Sequence, residues 1–178
     1  MSTLTPEATS TVPEYMGRTP SRTFVTWVAI LSMVIGFGAI LGGIGGAWFT
    51  YDQAAAQDIT TPDDAAIAET AVRGPFTMWA QADIITHHQL DRTGGLYYAQ
   101  MDRMVPQLDE SGQAVIGEDG EIVMVPNEAR ASWINATALT TSLYAGILAY
   151  ALAFMAIVFG ALFVLNGFLF WNMRPVRI

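Results

Sequence analysis

The sequence predicts a mainly α-helical membrane protein, with two transmembrane helices separated by a small external helical domain that includes a β-hairpin. Two stretches without any charged residue support this prediction: Phe24–Tyr51 with 28 positions and Ala131–Met173 with 43. A helix needs about 20 apolar residues to cross the hydrocarbon core of a bilayer. Charged residues make up 13% of the 178 positions, whereas soluble domains carry about 25%.

The first charge-free stretch predicts a transmembrane helix over residues 24–51. Trp27 and Trp48 lie near its two ends, where membrane helices commonly place aromatic side chains. The stretch is much longer than the roughly 7–15 apolar residues of a cleaved signal peptide. We therefore expect an uncleaved anchor.

The second charge-free stretch is longer than a bilayer is thick. It predicts one long helix over residues 131–172, with residues 143–169 as the spanning part. Its start is expected near Asn127, because asparagine readily caps the first turn of a helix. Trp171 lies at the opposite end as an interfacial anchor.

Arginine placement predicts the orientation of both spans. Two arginines lie just outside each span, at Arg18, Arg22, Arg174 and Arg177. Residues 52–130 between the spans hold fourteen acidic residues and four arginines, which leaves a net charge of −10. Positive flanks favour the cytoplasm. We expect a protein of the cell membrane with cytoplasmic tails at residues 1–23 and 173–178, and with residues 52–130 outside.

Small residues recur along both spans and predict close helix packing. The first span carries two adjacent rows of small residues, and within each row the residues recur every four positions. The rows include Gly38, Gly42, Gly46 and Gly43. The second span carries Ala145, Ala149 and Ala153 at the same spacing. Small residues at this interval let two helix backbones approach closely. Two interpretations are open: the spans pack on each other, or one row docks against a helix of another protein.

The segment between the spans is expected to be helical over residues 62–104. Thr60–Asp64 has the composition of a helix start, with a threonine cap and a proline in the first turn. A second helix is predicted over Phe76–Arg92, with Pro75 before it and the Gly94-Gly95 pair as its stop.

A hairpin is predicted over residues 108–125. Val115-Ile116 and Ile122–Val125 are β-type runs on either side of Gly117–Gly120, and prolines bracket the segment. A lone hairpin is marginally stable in water. We expect this one to rest on the helical part or on a partner.

Charge and composition restrict the possible chemistry. The net charge of −8 makes nucleic acid an unsuitable partner, and the lack of cysteine excludes disulfides and thiolate ligands. Asp83, His87 and Asp91 fall four apart on one helix face and are the candidate metal ligands. The alternative is a solvated histidine between two carboxylates. We predict no catalytic constellation and no cofactor in this chain.

Four residues of the external segment are candidates for contact with a partner protein. They are Trp79, His88, Tyr97 and Tyr98.

Two stretches, Gly74–Arg103 and Ala129–Trp171, resemble a family of small two-span membrane proteins from actinobacteria. The recurring pattern is matched at Ala80-Gln81-Ala82, His88, Leu90, Thr93-Gly94-Gly95, Tyr98 and Asp102-Arg103. Members are often labelled aromatic ring-opening dioxygenases. Such an enzyme needs an iron site, and two adjacent histidines on one helix cannot both face one metal. Met104–Glu128 is an insertion relative to the family and suggests an added contact.

Two spans with close-packing faces, an external domain rich in aromatic residues and the lack of a catalytic constellation favour a non-catalytic accessory subunit of a larger membrane complex. Small two-span subunits of this kind occur in the actinobacterial cytochrome bcc–aa3 respiratory supercomplex, which makes haem-containing oxidase and bc-type subunits, together with the lipid bilayer, the expected partners. Two alternatives stay open. One is a free-standing homo-oligomeric envelope protein, and the other is a metal-dependent enzyme that uses the Asp83, His87 and Asp91 face.

Overall fold

A computed structural model describes residues 21–173, so the predicted tails lie almost entirely outside the described residues. The described chain is mainly helical, with three α-helices and a small antiparallel sheet of two strands. The elements in chain order are α1 (Arg22–Ala56), α2 (Pro75–Arg92), β1 (Met104–Pro106), β2 (Met124–Pro126) and α3 (Glu128–Asn172), with a short 3₁₀ turn at Tyr98–Gln100.

Two of the helices, α1 and α3, are long and apolar enough to cross a membrane. Helix α1 extends to Ala56, five residues beyond the predicted end, because alanine and glutamine after Asp52 favour helix. Helix α3 begins at Glu128, directly after Asn127, near which its start was expected. Asn127 caps it as expected, since its Oδ1 accepts a hydrogen bond from the Arg130 N–H at 3.0 Å.

The chain divides into two compact units. One unit holds residues up to Gly38 together with those from Gly160 onward, and the other holds Ala39–Phe159. Within the described part of the first unit, Val25 and Ala29 of α1 are buried. The second unit contains the intervening segment, which we define as residues 57–127.

The prediction of a helix that starts at Thr60–Asp64 was wrong. No helix lies between Ala56 and Pro75; the chain forms a loop that is closed by a bridge between Thr60 and Ala71. The Thr61 side chain is 2% exposed, and its Oγ1 accepts the Thr70 N–H at 2.9 Å. Threonine thus uses its hydroxyl to hold the loop instead of to cap a helix.

Helix α2 confirms the second predicted helix. Pro75 is its first residue, and the Thr77 hydroxyl accepts a hydrogen bond from the Gly74 N–H at 3.2 Å. Gly94 and Gly95 follow its end with φ of +62° and +82°, which a side chain would strain. Beyond them, the helix expected up to residue 104 is reduced to the 3₁₀ turn.

The sheet begins earlier than the predicted hairpin, because β1 precedes residue 108. Val105 pairs with Val125 in the middle of the ladder. Between the strands the chain makes two turns of the same type. In each, a glycine of positive φ donates its N–H to a carbonyl three residues back, Gly112 to Asp109 and Gly120 to Gly117. The second turn was predicted, whereas the first was missed.

Each strand ends on a proline, Pro106 in β1 and Pro126 in β2, although the two prolines were expected to lie outside the hairpin and bracket it. The Gln107 N–H donates to the Val123 carbonyl, and antiparallel ladders alternate between bonded and non-bonded pairs. Pro106 and Pro126 therefore occupy non-bonded positions, where the missing N–H costs nothing.

Candidate functional site

Within the second unit, α1 and α3 come into close contact at Gly43. A Cβ atom at this position would lie 2.6 Å from the Ala153 carbonyl oxygen and 2.7 Å from the Ile157 Cγ1. Ala153 is itself only 7% exposed. Only glycine allows so close an approach of the two backbones here.

Within the first unit, two further glycine contacts join the same helices. A Cβ atom at Gly36 would lie 2.6 Å from the Gly160 carbonyl oxygen. A Cβ atom at Gly167 would lie 2.7 Å from the Ala29 carbonyl oxygen and 2.6 Å from Met33 Cγ. The close contacts of this unit thus also depend on small residues.

The small residues that make these contacts recur every seven positions, at 29, 36 and 43 on α1 and at 153, 160 and 167 on α3. Seven residues are close to two helical turns, so they stay on one face. The predicted rows were based on intervals of four residues, and they therefore do not include Gly36 or Gly167. Small residues at intervals of seven positions were the feature of the sequence that could have predicted these contacts.

The predicted row of four-residue spacing makes little contact within the chain. A Cβ atom at Gly38 or Gly42 would meet no atom of the described residues within 4 Å, and one at Gly46 reaches only the Ala153 Cβ at 3.9 Å. Of the three predicted alanines of α3, Ala153 alone is buried, while Ala145 is exposed and Ala149 is half-buried. The described residues therefore do not use Gly38 and Gly42 for pairing of the two spans, whereas Gly43 and Ala153, from the same predicted set, meet each other.

The intervening segment packs on α3 through α2. A Cβ atom at Gly146 would lie 2.7 Å from the Met78 sulfur, so this glycine admits the α2 side chain. Further along, the Gln89 Nε2 donates to the Ser132 Oγ at 2.6 Å. Ala80 and Ile84 of α2 are buried, whereas Phe76 and Trp79 of the same helix are 78% and 49% exposed.

Trp133 fixes the chain that follows α2. Its Nε1 donates to the Leu96 carbonyl at 3.0 Å, and its ring stacks on Tyr97 with centroids 5.3 Å apart. Arg130 lies 3.7 Å above the Tyr98 ring and donates to the Tyr98 carbonyl. Two of the predicted contact residues, Tyr97 and Tyr98, therefore also hold this segment on α3.

Arg73 links the loop after α1 to both long helices. The Tyr150 hydroxyl donates to the Arg73 carbonyl at 2.6 Å, and the Arg73 guanidinium donates to the Tyr51 hydroxyl at 3.4 Å. The hydrogen bond with Tyr51 raises the pKa of Arg73 above its usual value.

The two histidines differ in their surroundings. His88 Nε2 lies 2.6 Å from Asp64 Oδ2, and this hydrogen bond holds the pKa of Asp64 below its usual value of 3.8. The metal candidates Asp83, His87 and Asp91 all lie on α2. Among residues 21–173, no group of three or more histidine and carboxylate side chains is placed to hold a metal ion.

No protein-family model matches the chain, and neither the curated proteins nor the solved structures include a significant match to it. The resemblance to the actinobacterial two-span family therefore stays a prediction.

Proposed function

We propose that this chain is a non-catalytic subunit of a larger membrane complex, embedded by α1 and α3, and that it acts in assembly or docking. One observation carries the proposal: α1 has two glycine faces, and the described residues contact only one of them closely. A Cβ atom at Gly36 or Gly43 would press on α3, whereas one at Gly38 or Gly42 would meet no described atom beyond the adjacent backbone of α1 within 4 Å.

The surface of the long helices supports embedding in a membrane. Only 17% of the most apolar 18-residue window of α1 is buried within the chain, and only 11% of that of α3. A core helix of a soluble protein would be mostly buried. Large apolar side chains such as Leu41 and Leu148 are 69% and 60% exposed, and such a surface requires lipid or protein around it.

The free glycine face supports contact with another protein. Glycine lowers helix stability by about 1 kcal/mol relative to alanine, and no neighbour within the described chain accounts for Gly38 and Gly42. A helix from another chain can approach such a face closely. The backbone contacts that form then compensate for the lower stability of the glycine-containing helix. The sequence left two interpretations of the glycine rows open, packing of the two spans on each other and docking on another protein. For the face of Gly38 and Gly42, docking on another protein fits better.

The proposed orientation has both termini in the cytoplasm and the intervening segment outside. By resemblance, the host is the actinobacterial bcc–aa3 respiratory supercomplex, with haem-containing oxidase and bc-type subunits as neighbours. Residues 52–130, which lie between the predicted spans, carry a net charge of −10. Electrostatic complementarity would favour a basic partner surface and speed its association.

Purification from membranes in a gentle detergent tests the proposal. The tagged chain is isolated as wild type, as Gly42→Leu, and as Ile44→Leu, a control at a position of α1 that is 53% exposed and lies two residues, about 200° of helix rotation, from Gly42. We expect the wild type and the control to elute with haem a, b and c absorption and with stoichiometric oxidase and bc-type subunits. Gly42→Leu should insert normally but lose these partners.

A colourless eluate that contains this chain alone would contradict the proposed function. Migration as an oligomer of fixed size would instead favour the homo-oligomeric envelope protein, because a free glycine face also suits self-association. Retention of all partners by Gly42→Leu would exclude the glycine face as the contact.

A further inference from the structure

A cavity of about 610 Å³ lies in the second unit, bordered by the end of α1, the loop after it, α2 and α3. Its size is within the usual range for small-molecule sites, roughly 300–1,000 Å³. Most of its wall is apolar, formed by residues such as Met78, Leu139 and Leu143. No charged residue borders it, so its walls favour an uncharged occupant.

One polar group at this cavity is unsatisfied. Gln81 borders the cavity, and its Oε1 is buried without a hydrogen-bond partner among the described residues. Two hydroxyls also border the cavity, but each already donates to its own helix: Thr50 to the Gly46 carbonyl and Ser142 to the Ala138 carbonyl, both at 2.9 Å. Gln53 and Gln57 also border the cavity, but no donor of the described residues reaches the Gln81 Oε1, so an occupant of the cavity would have to supply it.

We propose that this cavity binds the head of an uncharged membrane lipid that carries a free hydroxyl, of the diacylglycerol class. A hydroxyl both donates and accepts, so it can bond to either end of the Gln81 amide, whose terminal torsion is soft. The acyl chains would leave past Leu143, the first residue of the predicted spanning part of α3. This inference rests on the membrane embedding in the proposed function.

Native mass spectrometry of the full-length chain, released from detergent micelles, tests the lipid site. The probe is dioctanoylglycerol, compared with its methyl ether, which lacks the donor, and with a short-chain phosphatidylglycerol, which is anionic. We expect one dioctanoylglycerol per chain. Binding of the ether should be weaker by roughly tenfold, as expected for the loss of one buried hydrogen bond.

Three variants locate the site. Ala54→Phe fills the cavity, Gln81→Leu removes the polar group, and Ala56→Phe is the control on the same helix at an exposed position outside the cavity. We expect the first two to lower the affinity for dioctanoylglycerol at least tenfold and the control to leave it unchanged. If Ala54→Phe does not fold, the nearly isosteric Gln81→Leu variant alone tests whether dioctanoylglycerol binds in this cavity.

Equal affinity for the alcohol and its ether, or preference for phosphatidylglycerol, would overturn the proposal. So would wild-type affinity in a folded Gln81→Leu variant. These outcomes are independent of the subunit hypothesis, because the experiment uses the isolated chain. Loss of the host complex in the purification, with lipid binding intact, would in turn refute only the proposed function.

Discussion

Two adjacent glycines of α1, Gly42 and Gly43, have opposite surroundings, and single residues of this kind decide how the long helices pair. Gly43 faces the Ala153 carbonyl, whereas a Cβ atom at Gly42 would meet no described atom beyond the adjacent backbone of α1 within 4 Å. The sequence alone ranked them equally, because both belong to rows of small residues. The difference depends on which face of α1 contacts α3. The sequence of α1 alone does not determine which face this is, because the contact depends on α3 as well.

We predict that Gly43→Ala destabilises the folded chain by about 1–3 kcal/mol, because the added methyl group would press on backbone atoms of α3 that cannot move away. Gly42→Ala is the matched control at the same depth. It should be neutral or slightly stabilising, since alanine is the better helix former. Denaturant unfolding in detergent micelles measures both. Equal losses in the two variants would refute the assigned face.

A second prediction at this scale concerns Asp64. Since the hydrogen bond with His88 lowers the pKa of the folded Asp64 below 3.8, the carboxylate contributes stability above pH 3.8. That contribution is lost as the pH falls through the lowered pKa. In His88→Ala we expect the Asp64 pKa to return towards 3.8. In His87→Ala it should change much less, because His87 is the smallest cause of the shift.

NMR titration of the Asp64 carboxyl carbon in the wild type and the two variants measures these pKa values. A wild-type pKa of Asp64 at or above 3.8 would contradict the hydrogen bond between His88 and Asp64.

At the scale of elements, the sequence predicted some features well because they depend on local chemistry. The proline start and glycine stop of α2 and the asparagine cap of α3 are encoded within a few residues. The loop at Thr60–Asp64 resembled a helix start by the same local rules. Its real conformation depends on Thr61 contacts with Ile67 and Thr70, up to nine residues away, which local patterns do not show.

The β-segment was predicted in part for a related reason. The turn at Gly117–Gly120 lies between obvious β-type runs, but the ladder partner of β2 lies before residue 108. The turn at Asp109–Gly112 was missed, although its Asp-x-x-Gly spacing is typical of a turn and could have predicted it.

We predict that Gly120→Ala weakens this segment by about 1–2 kcal/mol, because Gly120 has a φ of +79°, which is unfavourable for residues with a Cβ. Gly120→Asn should cost less, since asparagine tolerates this conformation better. Amide hydrogen exchange of Val123 and Val125 reports the loss. Equal protection in the wild type and Gly120→Ala would show that the turn does not stabilise the ladder.

For the whole molecule, two long apolar helices precede and follow an acidic segment in the sequence, and this order of charge predicts the orientation of the chain in the membrane. The chain contains no cysteine, so single substitutions can be labelled selectively. We expect Asp119→Cys in intact cells to react with a membrane-impermeant maleimide. Ser2→Cys in the predicted cytoplasmic tail should react only after permeabilisation. The reverse pattern would contradict the proposed orientation.

The central claim is that the free glycine face of α1 docks on another protein. Site-specific photo-crosslinking in living cells tests it most directly, with a photoreactive amino acid at Gly42 and, as a control, at Leu41, which is 69% exposed. We predict a discrete adduct with a different polypeptide from position 42 and none from position 41. No adduct from position 42, or equal diffuse labelling from both positions, would contradict the claim.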